Sequence, residues 1–235
     1  MTVCVAYVHG LDVAHSWHHS MMGLLTHHSQ DGQTPITAWM ATKYSSGGLV
    51  EARNNTAAQF IGMDHVDWLL WVDTDMGWEA DAFDRLLEVA DPEERPIVGG
   101  LCFMNKQVGP DGLGGYLIEA APTIFDWFDN GEQQGYTVRR DYERDTLVRC
   151  AGTGSAFVLI HKSVFTRIAD EYGPSWYSPI FNHSTGTWIS EDLSLCTRAS
   201  ALEIPVHVHT GIRTSHLKHM WLDERMFDRL GQADA

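Results

Sequence analysis

The chain has 235 residues, 44% of them hydrophobic and 20% charged, which is an ordinary balance for a globular protein. Its formal net charge of −15 argues against broad attraction to a phosphate backbone and so disfavours a nucleic-acid partner. No apolar run is long enough to span a bilayer.

Thr2 to Val8 is β-branched and apolar and predicts a first buried strand. It stops at His9-Gly10, a break that exposes backbone N–H groups to a ligand. Asp12 to Thr26 reads as a helix, with Met21, Met22, Leu24 and Leu25 as its apolar part. Asp31-Gly32 marks a turn, and Ile36 to Met40 a second strand. After the flexible Ser45-Ser46-Gly47-Gly48, Val50, Ala57, Ala58 and Ile61 recur at helical spacing, and Gly62 suits the helix stop. That register places Arg53 and Asn54 on the other side, near the helix start. Arg53 is then either a forked contact for phosphate or carboxylate, or an ordinary surface arginine.

Trp68 to Val72 is a short apolar run that ends abruptly in Asp73-Thr74-Asp75. The run reads as a buried strand. Side chains at i and i+2 of an extended segment point the same way, so Asp73 and Asp75 are expected to converge with Thr74 turned away. Ligands of open α/β sheets bind at that end of a strand. Two convergent carboxylates repel unless a cation sits between them, and Mg²⁺ or Mn²⁺ suits oxygen ligands. The alternative is that the pair only caps the next helix. That helix is expected over Glu79 to Ala90, with Phe83, Leu86, Leu87 and Ala90 on one face, and Asp91-Pro92 ends it. Pro96 to Leu101 is a further short strand with a glycine break. The alternation of strands and helices predicts an α/β fold with a mostly parallel sheet and helices on both faces.

From Asn105 to Gly135 the pattern loosens, with a turn signal at Pro110-Asp111-Gly112. Thr123 to Phe128 and Tyr136 to Tyr142 predict strands of an antiparallel extension. Leu147 to Ala151 and Ala156 to Ile160 are firmer strands flanking Gly152-Thr153-Gly154-Ser155. That loop either lets backbone approach a ligand or marks a crowded place in the sheet. Ser163 is expected to cap a helix carrying Val164, Phe165, Ile168, Ala169 and Tyr172, which Gly173-Pro174 ends. Ser175 to Trp188 is loop-like yet holds Trp176, Tyr177, Phe181 and Trp188, which either stack on a ligand or pack as a lid on the core. Ser190-Glu191-Asp192 opens a helix running to Leu202, with Ser190 as its cap and the two acids either dipole partners of the first turn, the commoner fate, or functional groups. Ile204 to His209 alternates as a last strand, His216-Leu217-Lys218 follows, and Leu222 to Leu230 is a short terminal helix.

Cys4, Cys102, Cys150 and Cys196 lie far apart without a Cys-x-x-Cys, which points to free thiols in a reducing, cytoplasmic setting. Met1-Thr2-Val3-Cys4 runs into a strand-like segment with no basic leader. Thirteen histidines are many; His15, His18 and His19 share a helical face and His27-His28 follow. Surface or half-buried histidines are favoured here over a second metal site. No repeat or linker divides the chain, so residues 1–235 are expected to form one domain, with halves of about 1–102 and 103–235.

In this order and spacing the pieces resemble a nucleotide-sugar-dependent glycosyltransferase of the GT-A fold, of the compact family 2-like type common in phages and bacteria. The resemblance rests on Val8-His9-Gly10, Glu51-Ala52-Arg53-Asn54, Asp73-Thr74-Asp75-Met76, Ile97-Val98-Gly99-Gly100, Gly152-Thr153-Gly154, Ser190-Glu191-Asp192 and His216-Leu217-Lys218. It implies a Rossmann-like α/β domain with a mostly parallel mixed sheet. It implies an enzyme that moves a sugar, as from a UDP-type donor, to a hydroxyl of a protein, a glycan or a modified nucleobase. In the host cytoplasm such a phage enzyme would meet its substrates. By the same resemblance Asp73, Asp75 and His216 hold Mn²⁺ or Mg²⁺, and Lys218 meets the diphosphate. Val8, His9, Gly10, Arg53, Asn54, Asp73 and Thr74 match donor-binding segments, and Gly152 and Thr153 a loop beside the transferred sugar. Glu191 and Asp192 match the acidic pair where inverting members keep the general base. The Asn105 to Gly135 insert matches nothing, and Asp12 is the nearest acid to the usual uracil-reading position. The competing readings are a nucleotidyltransferase or other two-metal phosphate enzyme, and a non-catalytic sugar-binding module of the same fold. The first is disfavoured because His9-Gly10-Leu11-Asp12 is neither glycine-rich nor basic.

Overall fold

A computed structural model describes residues 1–30, 34–44, 46–110 and 116–218. In chain order the elements begin with β1 (Val3–His9), α1 (His15–Gln30), β2 (Ile36–Lys43) and α2 (Gly48–Ile61). Next come β3 (Trp68–Val72), β4 (Met76–Gly77), α3 (Ala82–Val89) and β5 (Ile97–Leu101). The middle of the chain forms β6 (Phe103–Pro110), β7 (Tyr116–Pro122), β8 (Ile124–Asp129), β9 (Gln134–Val138), β10 (Leu147–Cys150) and β11 (Gly152–Thr153). The last elements are β12 (Phe157–His161), α4 (Lys162–Tyr172), β13 (Ile180–Asn182), β14 (Thr187–Ile189), α5 (Glu191–Ala201), β15 (Val206–Arg213) and β16 (Ser215–His216).

Seven strands form the central sheet in the order β10-β15-β5-β12-β3-β1-β2. The β1–β2, β1–β3 and β5–β15 pairs are parallel. β12 is antiparallel to both β3 and β5, and β10 to β15. The sheet is therefore mixed, but only β10 and β12 run against the other strands. The predicted α/β class with a mostly parallel mixed sheet is what forms.

The core divides by the two-residue period of the strands. Cys4, Ala6, Val8, Leu69 and Trp71 face a cluster filled from α2, α4 and α5. Val3, Val5, Trp68, Leu70 and Val72 face the other side, filled from α1 and α3. All five residues of β3 are buried, as expected of a strand covered on both faces. Beyond the main sheet lie the three-stranded β11-β8-β9 sheet and the hairpins β6–β7 and β13–β14. This is the antiparallel extension the sequence predicts, enlarged by two hairpins that it does not.

Several local expectations change. α1 starts at His15 rather than Asp12, and α3 at Ala82 rather than Glu79. α4 begins one residue early: His161 is its cap, with the ring nitrogen accepting from the Ser163 backbone N–H. In α2 the buried face is Ala52, Arg53, Thr56, Ala57 and Phe60, not the Val50-Ala57-Ala58-Ile61 stripe. Arg53 is thus turned inward, and the surface-arginine reading is wrong. The turn at Asp31-Gly32, the Asp111-Gly112 turn and the Leu222 to Leu230 helix lie outside the described residues. The four cysteines are free and buried.

Candidate active site

β3 delivers its two aspartates differently from the extended geometry expected. The strand stops at Val72, and the Met76 N–H donates to the Asp73 carbonyl at 3.2 Å, closing a turn over Thr74 and Asp75. The Ala14 N–H donates to the Thr74 carbonyl at 2.8 Å, which ties this turn to the segment after β1. β4 then pairs antiparallel with β16 and brings His216 from the far end of the chain to the same place. Leu217 N–H donates to the Asp75 carbonyl at 2.8 Å and secures the approach.

Because the chain turns between them, the two aspartates take different partners. Asp73 Oδ1 accepts from Arg53 Nη2 at 2.9 Å. The guanidinium is only 1% exposed and lies 5.0 Å from the Trp71 ring centroid and 5.5 Å from that of Tyr177. Burial alone lowers the tendency of Arg53 to hold its proton, but Asp73 and Asp192 more than offset it. Burial raises Asp73 above the ordinary carboxylate range; Arg53 opposes this, while Asp192 and Asp75 add to it. Asn54 does not face the same space. Its Oδ1 accepts from the Tyr177 N–H at 2.9 Å, so it pins the loop that carries the second ring. Arg198 pins the same loop through the Trp176 and Ser178 carbonyls.

Asp75 Oδ2 accepts from Lys218 Nζ at 2.9 Å and stands 3.0 Å from His216 Nε2. Burial pushes Asp75 up, but these two partners hold it down at about 2. His216 Nδ1 lies 2.8 Å from the Phe103 carbonyl, which can only accept, so Nδ1 carries a proton there. His216 Nε2 then faces a carboxylate oxygen. That contact calls for a proton or another cation between the two atoms. A carbonyl-anchored imidazole of this kind is also the usual preparation of a metal ligand. Among the described residues no three His, Cys, Asp or Glu form a metal-holding group. Asp75 and His216 lie side by side, whereas Asp73 is engaged by Arg53.

Asp192 closes the arrangement from the first turn of α5. Its Oδ1 is 3.9 Å from Arg53 Nε, and neither buried atom has a hydrogen-bond partner. Arg53 thus stands between the Asp73 and Asp192 carboxylates. Burial, and next the charge of Asp192, raises Glu191 above the ordinary carboxylate range. Asp73, Asp192 and His216 line one cavity of about 460 Å³, whose other walls include Phe125, Phe128, Tyr136 and Trp188. Glu191 is not part of its lining.

The remaining predicted positions divide. Val8 is 3% exposed and packs in the core, so only its backbone is available to a ligand. The His9 carbonyl accepts from the Tyr44 N–H at 3.0 Å, and the Tyr44 ring stands about 3.7 Å from where a Gly10 Cβ would be. Tyr44 was not anticipated. Burial raises its phenol above the ordinary value, and the charges of Asp73, Asp75 and Glu191 add to this against Arg53, which puts Tyr44 in the same field. Its sequence signal is its place just past β2, whose end lies beside that of β1. Gly152 and Thr153 are buried in β11. A Cβ on Gly152 would come 2.8 Å from Leu193 Cδ2 and 3.0 Å from Tyr136 Cε1, so crowding explains this glycine without a ligand. Gly154, not the residues before it, borders the cavity. Of the aromatic loop, Trp176 and Tyr177 are core, while Phe181 and Trp188 are exposed and touch at 5.3 Å between centroids.

No protein-family model and no curated protein sequence matches the chain. Solved structures do. A crystal structure of A197 from STIV aligns over 93% of this chain and 87% of its own, with a TM-score of 0.52 and 14% identity. A crystal structure of GalNAc-T7 with UDP, GalNAc and Mn²⁺ aligns over 93% of this chain with a TM-score of 0.56 and 10% identity. The chain spans 44% of that second protein. These likenesses establish the fold, a GT-A-type α/β architecture. No described helix is long and apolar enough to cross a membrane.

Proposed function

We propose that this chain is a metal-dependent glycosyltransferase that moves a sugar from a nucleotide-diphosphate donor to an acceptor hydroxyl. The observation that carries the proposal is the gathering of Asp73, Asp192 and His216 around one cavity on a GT-A-type fold. The fold-level likeness to GalNAc-T7, whose structure holds UDP, GalNAc and Mn²⁺, supports it as an analogy.

In this reading residues 1–102 bind the nucleotide and residues 103–235 form the acceptor side of one domain. His9, Gly10, Tyr44 and the Arg53–Asp73 pair border the donor, with Thr74 on the turn between the aspartates. Asp75 and His216 fit two protein ligands of Mn²⁺ or Mg²⁺, ions that commonly take their other ligands from substrate phosphates and water. Such an ion, when bound, supplies Lewis-acid stabilisation of the diphosphate leaving group. Lys218 adds a positive charge beside it. Arg53 fixes Asp73 and offers buried donors toward Asp192, so its position does not depend on a flexible chain. Asp192, at the cavity, accepts the acceptor proton as general base, a contribution typically worth about 10²–10⁴-fold in rate. Glu191, off the cavity, supports it from the same helical turn.

The test is a thermal-shift screen of nucleotide sugars with and without Mn²⁺, because a ligand of the native state raises its melting temperature. A nucleotide sugar that stabilises the chain only with Mn²⁺, and then releases nucleoside diphosphate, supports the proposal. Absence of any such pair overturns it.

A further inference from the structure

The β4–β16 ribbon has a second side. Successive residues of a strand point to opposite faces, so Ser215 turns away from its neighbour His216. It borders a separate cavity of about 560 Å³ that shares no lining residue with the cavity of the acids. Three parts of the chain meet there: the start of α1 with His15 and His19, the Gly77-Trp78-Glu79 segment, and Arg213 at the end of β15. A Cβ on Gly77 would stand 2.6 Å from Ser215 Oγ and 3.0 Å from Ser16 Cβ, so glycine lets α1 and β16 close on the ribbon. Ser16 Oγ donates to the Met76 carbonyl at 3.1 Å and Ser20 Oγ to the Trp78 carbonyl at 2.8 Å, which fixes this wall.

The groups open toward this cavity are mostly donors. Trp78 is 7% exposed, and its indole N–H, which can only donate, has no hydrogen-bond partner. The Ser215 hydroxyl and the exposed His15 and His19 rings take no partner among the described residues. Arg213 Nη2 donates to Asp145 Oδ1 at 2.6 Å, but the two side chains are 62% and 64% exposed. Such a solvated pair is weak and leaves the rest of the guanidinium available. α1 begins with no acid in its first turn, in a chain of net charge −15. Glu79 is the one acid of the lining, and it is exposed. A guanidinium, an indole N–H, a hydroxyl and two imidazoles around one space suit a phosphate, whose charged oxygens accept. The volume falls in the range of roughly 300–1,000 Å³ that holds a small molecule rather than a bare ion. We propose that this cavity binds a phosphate group carried on a small hydroxylated molecule, of the sugar phosphate class. Arg213, Ser215 and the Trp78 N–H take the phosphate with His15 and His19 beside it, and Glu79 accepts from a hydroxyl of the body. The site lies outside the donor cavity and does not depend on the glycosyltransferase reading.

The experiment uses the full chain in EDTA, which keeps a metal-dependent donor site out of the measurement. Calorimetric titrations use inorganic phosphate, glucose 6-phosphate and glucose, with sodium chloride at matched ionic strength as the blank. Glucose 6-phosphate is expected to bind about tenfold tighter than phosphate, and glucose and chloride to show no binding. Arg213→Gln is expected to weaken glucose 6-phosphate about tenfold, and Ser215→Ala and Trp78→Phe to weaken it less. Trp78→Phe keeps an aromatic ring against Phe157 and removes the N–H. Two variants are expected to bind as the parent does. Arg140→Gln removes an exposed arginine paired with Glu119, and Lys218→Ala removes a cation of the candidate active site. Glucose 6-phosphate that binds no better than glucose overturns the inference. So does binding that is lost in Lys218→Ala and kept in Arg213→Gln, which moves the anion to the active site. Neither result touches the glycosyltransferase reading, which the screen with Mn²⁺ tests separately.

Discussion

Arg53 Nη2 lies 2.9 Å from Asp73 Oδ1, and the arginine that makes this contact is 1% exposed. The pair joins α2 to the end of β3 at the point where the sheet opens to ligand. A buried charge left without its partner is costly, so Arg53→Met is expected to lower unfolding free energy by about 3–5 kcal/mol in urea titrations. Arg53→Met combined with Asp73→Asn is expected to recover part of that loss, since Asp73 then carries no unpaired charge while Asp192 still lacks its partner. A single-variant loss below about 1 kcal/mol would place the pair in the class of solvated surface bridges.

The sign of a pH effect follows from Asp75. Burial raises its carboxyl, but His216 and Lys218 bring it down to about 2, from an ordinary 3.8. A carboxylate depressed in the native state contributes stability above its unfolded value and loses it as pH falls through the native one. The metal-free chain is therefore expected to lose stability between pH 3.8 and about 2 more steeply than Asp75→Asn does. Parallel acid titrations of the two proteins by circular dichroism check this. Asp75 is 39% exposed at its side chain, so the effect is modest and shrinks with added salt. Identical slopes would remove Asp75 from the ion pair.

Much of this site is legible in the sequence and some of it is not, for physical reasons. β3 announces itself because burial on both faces demands an unbroken apolar run. The Asp73–Asp75 pair is visible, yet its geometry is not, since an extended continuation and a turn look the same in Asp-Thr-Asp. Arg53 misleads a helical-wheel argument. An arginine packed against the rings of Trp71 and Tyr177 belongs to the apolar face, and both rings come from distant segments. His216 reaches Asp75 through the two-residue pairing of β16 with β4, which leaves almost no periodic signal. The β6–β7 and β13–β14 hairpins escape for a related reason: their strands are exposed on at least one side and lack strict alternation.

Gly152 and Gly154 separate packing from access. A methyl group on Gly152 would meet Leu193 at 2.8 Å and Cys196 Cβ at 3.3 Å, which presses α5 away from β11. Gly152→Ala is expected to cost about 1–3 kcal/mol of stability, read by thermal or urea unfolding. A methyl on Gly154 meets nothing nearer than 3.7 Å, so Gly154→Ala is expected to fold as well as the parent. If Gly152→Ala is as stable as the parent, the loop is kept small for a ligand rather than for the helix.

Metal dependence is expected to reside in Asp75 and His216. EDTA should abolish turnover and added Mn²⁺ restore it. Asp75→Ala should lower kcat by about a hundredfold or more, a usual loss when a group stabilising developing charge is removed. The same variant is expected to lose the Mn²⁺-dependent part of the donor-induced thermal shift, a readout independent of catalysis. Full activity in EDTA, or an unaltered shift in Asp75→Ala, would falsify the assignment.

The two acids that open α5 are chemically alike and differ in where they stand. Asp192 lines the cavity beside Asp73 and His216, while Glu191 does not. Burial and the neighbouring charge of Asp192 raise Glu191 above the ordinary carboxylate range. Only a carboxylate within reach of the attacking hydroxyl can take its proton. Asp192→Asn keeps the side chain's shape while removing its basicity. It is expected to lower kcat for transfer by about 10²-fold or more, with the donor dissociation constant changed by less than about threefold. Glu191→Gln is expected to keep most of its turnover. Steady-state kinetics paired with calorimetric donor binding separates the outcomes. Should Asp192→Asn weaken donor binding and spare kcat, Asp192 serves the donor through Arg53, and another group or water removes the proton.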